Sequence, residues 1–238
     1  MPRWHFSTDY SKTGSPMFRI KICGITNVED AQAVAEAGGD AIGLNFYKTS
    51  PRFCPVEAAR EISQNLPKHI RRVGVFVNSA AREIRENFDS VGLDLIQIHG
   101  DETPKFLSEL RGLPVMRAFR MPDDLANVEV YLKCCHKLSC VPRMVLVDAH
   151  LPGEYGGTGI AIDWPALAAQ RRRLSGMPLV LAGGLNAENV GAAIAAVRPW
   201  AVDTASGVEV RKGKKSPAMI HAFVNAAKAA FSDTSACH

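Results

Sequence analysis

Apolar residues along the chain fall into short runs, and between them lie stretches with helical spacing. The first run alternates: Ile20 and Ile22 stand against Arg19 and Lys21, the period of a half-buried strand that stops at Cys23. Gly24 allows a tight turn, and Thr26 or Asn27 can cap an Ala-rich helix over 27–37 that ends at Gly38-Gly39. A second strand is predicted over 40–46, a helix opened by Pro55 to about 66, a third strand over 72–77 and a helix over 80–88. A fourth strand over 93–98 runs into His99-Gly100-Asp101-Glu102 and a helix to about 110, a fifth covers 114–119, and a helical stretch covers 123–138. The sixth strand, 144–147, closes at Asp148, and a Gly-rich loop from 149 to about 162 leads to a helix capped by Asp163 with Pro165 in its first turn. The seventh strand, 178–181, ends in Ala182-Gly183-Gly184 before a helix over 187–196 capped by Asn186. The eighth, 200–202, ends at Asp203, and Ser216-Pro217 open a last helix with Ile220, Phe223, Val224 and Ala227 on one face.

Eight short Val- and Ile-rich strands, each followed by a helix, imply repeated βαβ units with both sheet faces covered. Eight such units imply an α/β fold, a closed (β/α)8 TIM barrel in a single domain. An open doubly wound sheet is the alternative; it would place its Gly-rich turn after the first strand, whereas here such turns follow strands seven and eight. The expected boundaries are a disordered N-terminal extension over 1–17, the catalytic barrel over 18–231 and a tail over 232–238.

Composition narrows the classes. With 238 residues, 47% of them hydrophobic, the chain can bury a large core without metal or disulfide staples. A net charge of +4 is too small to argue for nucleic acid but suits a site for small anions. Cys23, Cys54, Cys134, Cys135, Cys140 and Cys237 have no framework spacing and read as reduced thiols of a cytoplasmic protein. No apolar run approaches the ~20 residues that span a membrane. Met1–Pro16 has no signal-peptide core, and Met17 could be the start.

In a barrel the strand ends converge on one face, although they are scattered in sequence. Here they carry Cys23, Arg52, Gln97, His99, Asp148, Gly183-Gly184 and Asp203 to Gly207. Gly183, Gly184, Ser206 and Gly207 follow the last two strands, where backbone N–H groups can cradle a phosphate; the alternative is ordinary turn glycines. Cys23 as base and Asp148 as acid form a proton-transfer pair, against a buried structural thiol and a helix cap or ion pair. Arg52 can fork a carboxylate or be a solvated surface arginine, and His99 can touch substrate or simply pack. Cys134-Cys135-His136 with Cys140 lacks a second ligand pair, so no metal is assigned. Lys212, Lys214 and Lys215 read as a solvated loop.

The ordered series Lys21-Ile22-Cys23-Gly24-Ile25-Thr26, Asp40-Ala41-Ile42-Gly43 with Pro51-Arg52, Val73-Gly74-Val75-Phe76-Val77-Asn78 and Gln97-Ile98-His99-Gly100-Asp101-Glu102 resembles the phosphoribosylanthranilate isomerase family of tryptophan biosynthesis. The series continues with Val147-Asp148, Gly156-Gly157-Thr158-Gly159, Asp163-Trp164, Ala182-Gly183-Gly184-Leu185-Asn186, Arg198-Pro199 and Asp203-Thr204-Ala205-Ser206-Gly207-Val208-Glu209, so the resemblance covers roughly residues 19–230. It implies a cofactor-free Amadori rearrangement of N-(5-phosphoribosyl)anthranilate. Asp148 would protonate the ring oxygen and Cys23 would take the C2 proton. Arg52 would grip the carboxylate, while Gln97, His99 and Asp203 line the site and the glycine loops bind phosphate. The implied partner is a small phosphorylated substrate, with no nucleic acid or membrane, acting on a monomer or homodimer. A histidine-pathway aminoaldose isomerase would want a carboxylate where Cys23 stands, and an idle ligand-binding barrel would have no need of both Cys23 and Asp148. Ala205 departs from the polar residue that many relatives place there.

Overall fold

A computed structural model describes residues 17–120, 125–148 and 164–235. Eight parallel strands close into a barrel in sequential order: β1 Ile20–Cys23, β2 Ala41–Asn45, β3 Arg71–Phe76, β4 Leu95–Ile98, β5 Val115–Arg120, β6 Met144–Asp148, β7 Leu179–Ala182 and β8 Ala201–Thr204. β8 returns to β1 with Lys21 opposite Asp203, which closes the ring. The helices are α1 Val28–Ala37, α2 Val56–Asn65, α3 Ala81–Val91, α4 Pro104–Glu109, α5 Ala126–Lys137, α6 Trp164–Gln170, α7 Val190–Val197 and α8 Pro217–Ser235.

Strand parity divides the core into two. Outward residues such as Ile20, Ile22, Ile42, Ile96, Val145 and Leu181 pack under the helices. Inward residues, among them Val73, Leu95, Met116, Met144, Val180 and Ala201, fill the barrel floor. The side chains of Lys21 and Cys23 share the inward parity of β1, one above the other, opposite the outward Ile20 and Ile22. That is why β1 reads as alternating although both its faces are covered.

Local signals account for most boundaries. Asn27 caps α1, its side chain accepting from the Asp30 N–H at 2.7 Å, and Gly38 ends it at φ 75°. Pro55 precedes α2 as its cap residue. Ile220, Phe223, Val224 and Ala227 of α8 are fully buried, and a Phe in that position contributes about 1.5–3 kcal/mol. α8 continues through Ser235, past the expected boundary at 231. Asn186 caps a turn rather than the helix: its side chain accepts from the Glu188 and Asn189 N–H groups at 2.9 and 3.0 Å, and α7 begins only at Val190.

One element differs from the sequence reading. The stretch containing Lys212, Lys214 and Lys215 is a hairpin, β9 Glu209–Arg211 paired antiparallel with β10 Lys214–Lys215, not a solvated loop. Gly213 turns it at φ 79°, and Lys215 is buried. The Gly156–Gly159 loop and Asp163 lie outside the described residues.

Candidate active site

The site is built on the C-terminal ends of the strands. At its floor, Lys21 Nζ lies 2.8 Å from Asp203 Oδ2, with side chains 0% and 7% exposed. Burial acts to strip the Lys21 proton, but Asp203 and Cys23 together outweigh it and hold the ammonium above its ordinary pKa. Cys23 sits one inward position higher. Its thiol is pushed up by burial, which outweighs the pull of the Lys21 and Lys215 ammonium groups. Gly43 makes room for this pair on the neighbouring strand: a Cβ there would stand 2.6 Å from Cys23 Sγ and 3.1 Å from Lys21 Nζ.

Among the described residues, two buried acceptors have no protein partner, Asp203 Oδ1 and Gln97 Oε1. Both residues belong to inward positions of their strands. Unpaired buried oxygens are costly, and hydroxyl groups of a ligand are the kind of donor that would satisfy them.

His99 directly follows β4, and Asp148 ends β6. His99 Nε2 and Asp148 Oδ2 are 3.7 Å apart, beyond hydrogen-bond range. Burial, with Arg120, Lys21 and Arg117 nearby, lowers the His99 pKa to about 4, so the ring is neutral at pH 7 and this contact is not an ion pair. The loop that carries His99 is held from behind. Glu102 accepts from the Asn78 and Gly100 N–H groups at 2.6 and 2.9 Å. Arg117 donates to the carbonyls of Ile98 and Gly100 at 2.9 and 2.8 Å.

Arg52 lies over Gly24, whose missing Cβ would otherwise overlap its Cδ. Its Nε and Nη2 donate to the two oxygens of Glu209 at 2.7 and 2.8 Å. The Nε–Nη2 edge of the guanidinium is thus occupied within the protein. Glu209 Oε1 also accepts from Lys215 Nζ at 2.9 Å, and the same ammonium donates to the Ala205 carbonyl at 2.9 Å.

The loops after β7 and β8 meet. Gly183 and Gly184 take φ 94° and 66°, a region closed to most side chains. Ser206 and Gly207 open a 3-10 turn, Ser206–Val208. A Cβ on Gly207 would overlap the Leu185 carbonyl, which itself accepts from Thr204 Oγ1 at 2.6 Å. Two glycine-bearing loops are thereby joined side by side, the arrangement in which backbone N–H groups receive a phosphate.

All the sequence-selected residues therefore stand at one end of the barrel. Lys21, Glu209 and Lys215 were missed. For Lys21 the parity shared with Cys23 was the available signal, and for the other two it was the Lys212-Gly213 hairpin turn. The Cys-rich stretch is packing: Cys135 is buried, its pKa pushed up to about 12 by burial, and Cys140 Sγ lies 3.3 Å from the Pro104 carbonyl. Among the described residues no cluster of three His, Cys, Asp or Glu could hold a metal, and no helix is long and apolar enough to cross a membrane.

Comparison with known proteins gives a consistent picture. The family model for N-(5'-phosphoribosyl)anthranilate (PRA) isomerase matches residues 20–226. An N-(5'-phosphoribosyl)anthranilate isomerase of Pseudomonas putida is 47% identical over 213 residues, 89% of this chain and 98% of that protein. The crystal structure of phosphoribosyl anthranilate isomerase from Thermotoga maritima superposes with a TM-score of 0.79 at 41% identity, covering 90% of this chain and all (100%) of that one. A crystal structure of such an isomerase in complex with reduced 1-(o-carboxyphenylamino)-1-deoxyribulose 5-phosphate superposes with a TM-score of 0.75 at 38% identity, covering 90% of this chain and 100% of the other.

Proposed function

The chain belongs to the N-(5'-phosphoribosyl)anthranilate isomerase family, and from that premise we propose that it converts N-(5-phosphoribosyl)anthranilate to 1-(2-carboxyphenylamino)-1-deoxyribulose 5-phosphate, a step of tryptophan biosynthesis. The chemistry is an aldose–ketose shift by general acid and base. Asp148, at the end of β6, donates a proton to the furanose ring oxygen, and the C1–O bond breaks as the anilino nitrogen lone pair forms a Schiff base. Cys23, as thiolate, removes the C2 proton, and the electron pair moves through C1 to nitrogen to give an enolamine. Proton return to C1 with loss of the enol proton leaves the ketone.

The observation that carries this reading is the Lys21 ammonium, fixed by Asp203 and set directly against Cys23. Burial raises the pKa of this thiol, so little of it is in the anionic form that can act as a base. An adjacent cation that cannot move lowers the cost of forming that anion when it is needed. The glycine loops after β7 and β8 hold the phosphate, and the free edge of Arg52 holds the carboxylate. Gripping both ends of the substrate fixes C2 over Cys23 and the ring oxygen toward Asp148. Gln97 and the second oxygen of Asp203 accept from sugar hydroxyls. His99, neutral, contributes a hydrogen bond rather than charge.

The test is substrate fluorescence. N-(5-phosphoribosyl)anthranilate generated in place loses its fluorescence with the wild-type protein. Persistence of the signal with wild type, under conditions where a known isomerase quenches it, removes the reading.

A further inference from the structure

The hairpin β9–β10 adds nothing to the barrel wall, yet it carries buried charge. Glu209 and Lys215 are cross-strand partners, and their side chains are 3% and 0% exposed. Glu209 receives three charge-assisted hydrogen bonds, two from Arg52 and one from Lys215. Lys215 spends a second donor on the Ala205 carbonyl, directly before the Ser206-Gly207 turn. The hairpin tip reaches the loop before Arg52, since a Cβ on Gly213 would stand 2.7 Å from the Pro51 carbonyl. A buried carboxylate with two cations is weak evidence of stability, because hydrophobic replacements often do as well. What the arrangement does supply is a buried, hydrogen-bonded connection between the loops after β2 and β8.

Resting on the isomerase reading above, we propose that Glu209 and Lys215 are positioning residues that couple the two anion grips: Glu209 presents the free edge of Arg52 to the substrate carboxylate, and Lys215 anchors the phosphate loop to Glu209. Neither needs to touch the substrate. Arg52 is 22% exposed, and with its Nε–Nη2 edge held in a fork it has little freedom to swing away. Without Glu209 the guanidinium would sample many rotamers, and carboxylate recognition would have to bear that ordering cost on each binding event.

The experiment is calorimetric binding of two ligands to the full chain: reduced 1-(o-carboxyphenylamino)-1-deoxyribulose 5-phosphate and its phenylamino analogue lacking the carboxyl group. Wild type is expected to prefer the carboxylated ligand by about tenfold or more, the value of one charge-assisted contact. In Glu209→Gln that preference falls to about twofold, with the phenylamino analogue, which keeps only the phosphate grip, weakened clearly less than the carboxylated ligand. Lys215→Met weakens competition by inorganic phosphate about fivefold or more. Should the Gln variant fail to fold, Glu209→Asp retracts the charge by one methylene and is expected to show the same selective loss. Equal weakening of both ligands, or of neither, in the Glu209 variants would make Glu209 a structural residue only and overturn the proposal. Unchanged phosphate competition in Lys215→Met would overturn the coupling. Failure of wild type to bind either ligand would instead sink the isomerase reading itself.

Discussion

Lys21 Nζ and Asp203 Oδ2 meet at 2.8 Å inside the barrel, across the seam where β8 rejoins β1. The pair spans that seam and places a cation beside Cys23. Removing one partner of such a buried pair leaves the other uncompensated, a cost of about 3–5 kcal/mol. Lys21→Met should therefore lower the thermal midpoint sharply, and Lys21→Met with Asp203→Leu should recover much of that loss. Activity should not return with stability, because the cation at Cys23 and the Asp203 acceptor proposed for a sugar hydroxyl are both still missing. Thermal melts beside turnover measurements separate the two effects, and recovery of both together would assign Lys21 a purely structural part.

Cys23→Ala and Asp148→Ala should each cut turnover by about 10²-fold or more, the usual contribution of one positioned acid or base. Cys23→Ser keeps the shape but offers a hydroxyl that is a far weaker base at neutral pH, so it should be nearly as slow. Steady-state kinetics decide it, and near-wild-type turnover in any of these variants removes that residue from proton transfer.

His99 carries a sign that can be checked. Its folded pKa, about 4, lies below the ordinary histidine value of 6.5. The unfolded chain therefore takes up a proton through pH 6.5 while the folded protein does not, so this contribution is fully present above about 6.5 and is lost as pH falls toward 4. Its size is at most about 3 kcal/mol. Denaturant unfolding at pH 7 and pH 4.5 should show the loss, and His99→Gln should shrink it. NMR titration of the His99 ring with a midpoint near 6.5 would contradict the burial argument.

Gly207→Ala should damage phosphate recognition specifically. The new methyl would overlap the Leu185 carbonyl and force the loops after β7 and β8 apart. The expected result is a KM raised about tenfold or more with a smaller change in kcat, the sign of lost binding rather than lost chemistry. A kcat defect alone would place the phosphate elsewhere.

The fold was legible because its signals are local. The alternation of Ile20 and Ile22 with Lys21, the Asn27 cap, the Gly38 stop and the apolar face of α8 each depend on a few neighbouring residues. The site was legible in outline for a related reason: a parallel barrel sends every strand end to one face, so recognising eight strands already placed Cys23, Gln97, His99, Asp148 and Asp203 together. Asn186 misled because an Asx turn and a helix cap use the same side-chain acceptor. The lysine-rich segment misled because charge in sequence usually means solvent.

Strand periodicity, turn chemistry and strand-end residues were thus determined by the sequence alone, since backbone sterics and side-chain alternation act within a few residues. Only the tertiary structure decided which charges meet. Lys21 finds Asp203 across 182 residues and Arg52 finds Glu209 across 157, pairings set by barrel closure and the seating of the hairpin. Burial then gives those pairings their meaning. It makes Lys215 a buried partner of Glu209 instead of a surface lysine, holds the His99 pKa low, and keeps the Nε–Nη2 edge of Arg52 paired inside the protein.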